Sequence, residues 1–73
     1  MDIKSAHEFY NMVCLEEQPE VRNDFAECVE RFRDGFFNDG PKKCKGNHDA
    51  SFAKAVEVMA RFLPSIRNRN GFA

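Results

Sequence analysis

The chain has 73 residues, with 11 Lys or Arg against 12 Asp or Glu, for a formal net charge of −1. That length fits a single domain, whose core alone supplies only roughly 3–5 kcal/mol of net stability. The charge balance offers nucleic acid no basic field, and no apolar run is long enough for a membrane span or a signal-peptide core, so the sequence reads as soluble and intracellular.

The first element spans about Asp2 to Glu17. Ile3, Ala6, Tyr10 and Val13 recur at helical spacing with Phe9 beside them, which predicts an amphipathic helix. Either Asp2 caps it, or Ser5 does with Glu8 completing a capping box. Pro19 then disfavours helix at Gln18 and suits the first turn of a second helix over residues 19–34. Val21, Phe25, Cys28 and Phe32 form its stripe, with Val29 alongside, and Gly35 reads as its stop. The short link predicts that these two helices lie antiparallel and side by side.

Residues 38–49, "NDGPKKCKGNHD", read as a loop with three breakers, one weak apolar residue (Cys44) and solvated lysines. A third helix follows over residues 50–63, with Asp49 as its cap. Phe52, Val56, Met59 and Leu63 form one row, and Ala55, Val58 and Phe62 a second. Pro64 is expected to end this helix. The domain then covers residues 1–64, and residues 65–73 form a polar, frayed tail on which Ile66 or Phe72 docks at most. The fold class is therefore all-α, a small helical bundle of three substantial helices.

Little in the sequence carries chemistry. Cys14, Cys28 and Cys44 form no CxxC pair, and an odd number of thiols fits a reducing compartment better than a disulfide framework. Cys44 and His48 have a spacing zinc sites use but lack a matching second pair, so no metal and no cofactor are expected. His7 and His48 lie on different elements, and no catalytic residue is assigned. A helix-turn-helix DNA reader is disfavoured because the second helix presents Glu20, Asp24, Glu27 and Glu30, which repel phosphates.

Three stretches in order carry a resemblance. "IKSAHEFYNMV", then "QPEVRNDFAECVERFR", then "FLP" at Phe62, Leu63 and Pro64 together resemble the paired amphipathic helix domain of the Sin (switch-independent) histone deacetylase corepressors. Ala6, Phe9 and Val13 match the first-helix pattern of that family, and Asn23, Asp24, Phe25 and Phe32 match its second helix. The family's third helix would fall near residues 40–47. The segment "GPKKCKG" lacks the apolar content for it, so that helix is expected to be missing or reduced to a turn.

The resemblance implies a nuclear, non-catalytic corepressor module. It would bind an amphipathic helix of a transcription factor or deacetylase-complex subunit in an apolar groove between helices 1 and 2, as helix-in-groove recognition. The groove residues implied are Ile3, Ala6, Phe9, Tyr10, Val13, Val21, Ala26 and Val29, and the core residues are Phe25, Cys28, Phe32, Phe52, Val56, Met59, Phe62 and Leu63. The isolated domain is expected to be monomeric, contacting neither nucleic acid nor membrane. Two alternatives share this helix pattern: another small helical hub, of the harmonin-homology type, and a self-associating structural domain.

Overall fold

Three helices and one hydrogen-bonded turn make up the computed structural model, which describes residues 1–72. Helix α1 covers Ile3–Glu16, α2 Pro19–Asp39 and α3 His48–Arg69, with no strand among the described residues. Asp2 is the cap of α1: its carboxylate accepts from the Ser5 N–H at 2.7 Å. Glu17 and Gln18 alone link α1 to α2, and Pro19 opens α2 where its missing N–H costs nothing.

Helix α3 is the organiser. It runs antiparallel to α2, with Arg69 reaching Asp24 at one end and His48 stacked on Phe37, ring centroids 4.4 Å apart, at the other. Helix α1 lies on α3 with the Met1 ammonium on Glu57 and the end of the helix at Arg67. The backbones of α1 and α2 make few close approaches and meet instead through side chains. Phe9 and Tyr10 lean on Phe25, with centroids 6.1 and 6.0 Å away. The buried core is Ala6 and Val13 from α1, Val21, Phe25 and Val29 from α2, and Ala53, Ala55, Val56, Met59, Leu63 and Ile66 from α3.

Both predicted stops are overrun. Helix α2 passes Gly35 because Phe36 packs against the core and Phe37 stacks on His48, which outweighs one glycine. It ends instead at Gly40, where a Cβ would run into the Phe36 carbonyl oxygen. Helix α3 continues through Pro64 for another turn and a half. The proline frees the Ala60 carbonyl, but the last turn is tied down from several sides. Ile66 is buried, Arg67 forms a two-point pair with Glu17, and Arg69 and Asn70 both donate to Asp24. The predicted tail is thus structural, apart from Ala73, which lies outside the described residues.

Residues 41–47 hold one tight turn in place of a helix. Cys44 and Lys45 both donate backbone N–H bonds to the Pro41 carbonyl, and Gly46 adopts φ 73° and donates to Phe37. The segment is better anchored than a simple loop. Cys44 is buried, and its carbonyl accepts from the buried Ser51 hydroxyl at 2.8 Å. The cap of α3 is Asn47 rather than Asp49, its side chain accepting from the Ala50 N–H at 3.0 Å. Lys42, Lys43 and Lys45 are exposed.

Candidate functional site

Ala26 and Val29 sit on the face of α2 turned toward α1. Opposite them stands Tyr10, and the second turn of α3 closes the end with Phe52, whose ring lies 5.6 Å from that of Tyr10. These four residues line an open cleft of about 500 Å³, rimmed by Asn23, Glu27, Glu30 and Arg33. Its chemistry follows from the lining: a small apolar floor, two aromatic walls, and a rim with two carboxylates and an amide against one guanidinium, so that more of the exposed lining is polar than apolar. Partial burial pushes the Tyr10 phenol pKa upward, so that side chain stays neutral at physiological pH and offers a hydroxyl, not a charge. Ala26 is the smallest side chain in the lining.

The structure divides the groove residues named above. Tyr10 and Ala26 meet in the cleft, and Val29 closes its floor from below while itself belonging to the buried core, 2% exposed. Phe9 is half-buried beside it on Phe25. Ala6, Val13 and Val21 instead lie in the closed core with essentially no exposed surface, which corrects their assignment to an open groove. Helix α3 shares one core with those side chains, from Ala53 to Ile66, and so closes over them. Ile3 is exposed but lines a separate depression with Met1, Cys44 and Glu57.

The core assignment needs similar revision. Phe25, Val56, Met59 and Leu63 are buried as expected. Phe32 is 42% exposed and Phe62 51%, so neither is a core ring. Cys28 and Phe52 are half-buried at the edge. Phe52, Asn23, Glu30 and Arg33 were absent from the sequence-derived groove. Phe52 was masked by its place in the apolar row of α3. The polar three follow from Ala26 by helical spacing alone, at positions −3, +4 and +7.

Two ion-pair clusters fix the far end of the bundle. Arg69 donates from Nε to Asp24 at 2.6 Å, and the Asn70 amide donates to the same carboxylate at 2.9 Å. These bonds hold the Asp24 pKa down at about 2. The Arg67 guanidinium likewise lowers the pKa of Glu17. Among the described residues no group of three or more His, Cys, Asp or Glu stands close enough to hold a metal ion. Comparison with family models, with curated proteins and with solved structures returned no match.

Proposed function

We propose that this chain is a helix-binding interaction module, and that the cleft lined by Tyr10, Ala26, Val29 and Phe52 receives the apolar face of a partner helix. The observation that carries this reading is the cleft itself. It combines apolar floor, aromatic walls and a charged rim on two helices whose backbones stay apart, the arrangement helix-in-groove recognition uses. A bulky anchor such as Leu or Phe would sit over Ala26. A Lys or Arg flanking it would meet Glu27 or Glu30.

The resemblance to the paired amphipathic helix domain narrows the proposal to a nuclear corepressor module, with a transcription-factor or deacetylase-complex helix as its partner. The chemistry asked of the chain is recognition alone, without catalysis. A pull-down from nuclear extract followed by peptide titration tests both levels. Retention of deacetylase subunits or DNA-bound repressors is expected, with loss of binding in Ala26→Leu. Capture of a helical partner from another complex would keep the module and discard the corepressor assignment. Equal binding by Ala26→Leu would remove the cleft from the proposal.

A further inference from the structure

The second half of α2 carries a feature that the cleft does not use. Phe32 and Phe36 lie side by side along one edge of it, ring centroids 6.0 Å apart, Phe32 exposed and Phe36 half-buried against the core, and Phe62 of α3 extends the apolar area. In front of them is an open depression of about 510 Å³ lined by Arg31, Phe32, Gly35, Phe36, Asp39 and Pro41, among others.

Gly35 stands at its centre with no intramolecular reason to be glycine. It lies inside a continuous helix, it is not among the residues with positive φ, and a Cβ there would meet nothing within 4 Å. A helix-interior glycine is destabilising relative to alanine, so its use here fits a backbone approached closely from outside.

The charges identify what approaches. Arg31 and Asp39 stand four residues before and four residues after Gly35, on the same helical row. Arg31 makes only an exposed pair with Glu27, and Asp39 makes no ion pair among the described residues. This row is self-complementary under a two-fold axis through Gly35. Turned antiparallel on itself, it sets Arg31 of each copy against Asp39 of the other. The same operation puts the aromatic flanks of both helices on one side. There the rings follow in the order Phe32, Phe36 of the second copy, Phe36, Phe32 of the second copy, stepping about 3 Å at 1.5 Å rise per residue. We propose that this face of α2 is an isologous dimer interface, a second copy of the chain packing antiparallel across Gly35. The monomer expected from the sequence would then be the dilute form of a dimer.

Sedimentation velocity over a concentration series up to about 1 mM is the test. Wild type is expected to pass from monomer to dimer. Arg31→Glu alone and Asp39→Arg alone each bring like charges together and should weaken association roughly tenfold or more. An equimolar mixture of the two single variants pairs opposite charges at both contacts and should associate again. Gly35→Leu should abolish the dimer while keeping, or raising, helical circular dichroism and melting temperature, which separates loss of the interface from loss of the fold. A monomer at every concentration, dimerisation that survives Gly35→Leu, or single charge variants that associate like wild type would each overturn the proposal. The outcome is independent of the cleft, because Ala26→Leu leaves this face intact.

Discussion

Two phenylalanines seven residues apart on one helix have opposite fates. Phe25 is fully buried among α1 and α3 side chains, whereas Phe32 keeps 42% of its surface. Truncation of Phe25 to alanine should cost about 3–5 kcal/mol, which equals the whole net stability a domain of this size commands. Phe25→Ala is therefore expected to give no cooperative urea transition. Phe32→Ala should fold and lose at most about 1 kcal/mol, well short of a core truncation, because a half-exposed ring forfeits less burial and leaves no closed cavity. Ala26→Leu is the functional counterpart. The added side chain enters the cleft, not the core, so the melt should persist while a partner peptide loses on the order of 1–3 kcal/mol, measured by titration calorimetry. Ala26 could be singled out from the sequence because it follows Phe25 and so turns out of the core stripe. The burial of Ala6, Val13 and Val21 could not, because three apolar stripes do not reveal how much of each helix a third will cover.

The elements were legible in their stripes and misjudged at their ends. Gly35 and Pro64 are local signals whose cost is set by propensity, whereas Phe36, Phe37 and Ile66 gain tertiary contacts no local window contains. That conflict leaves a measurable residue. Pro64 is exposed inside α3, and replacing it restores an N–H to the Ala60 carbonyl. Pro64→Ala should stabilise by about 1–2 kcal/mol, since the helical gain exceeds the proline's restriction of the unfolded chain. In a domain of this length that raises Tm by roughly 4–8 °C per kcal/mol. The end of α3 should also be acid-sensitive. Asp24 has its pKa lowered from 3.8 to about 2 in the folded state, so its pairing stabilises above the unfolded pKa and is lost as pH falls toward 2. Glu17 is shifted in the same direction by Arg67. Melting temperature should decline between about pH 5 and pH 2, and Asp24→Asn should flatten that decline.

At the scale of the whole molecule, the bundle closes at the end where its two-residue link lies. Glu17 lies in that link and Asp24 in the second turn of α2, and Arg67 and Arg69 of the last turn of α3 reach one each. The fold measures 37 × 21 × 16 Å, long and thin, so each helix end contributes a large share of the few tertiary contacts. A domain boundary at Pro64, natural from the sequence, would remove Ile66, both arginines and Asn70 together. Burying one isoleucine is worth roughly 1.5–3 kcal/mol. The partly exposed Glu17–Arg67 pair adds at most about 1 kcal/mol, and the more exposed Asp24–Arg69 pair less. Their sum approaches the roughly 3–5 kcal/mol available to the domain as a whole. A chain ending at Pro64 is accordingly expected to lose its cooperative melt by circular dichroism, and one ending at Phe72 to retain it. Arg67→Ala separates the terms, because it should lower stability by at most about 1 kcal/mol with Ile66 still in place, and Arg69→Ala should leave the cooperative melt intact. If the chain cut at Pro64 melts cooperatively at the full-length temperature, the link is held by α1 and α2 alone and the last turn of α3 is an appendage.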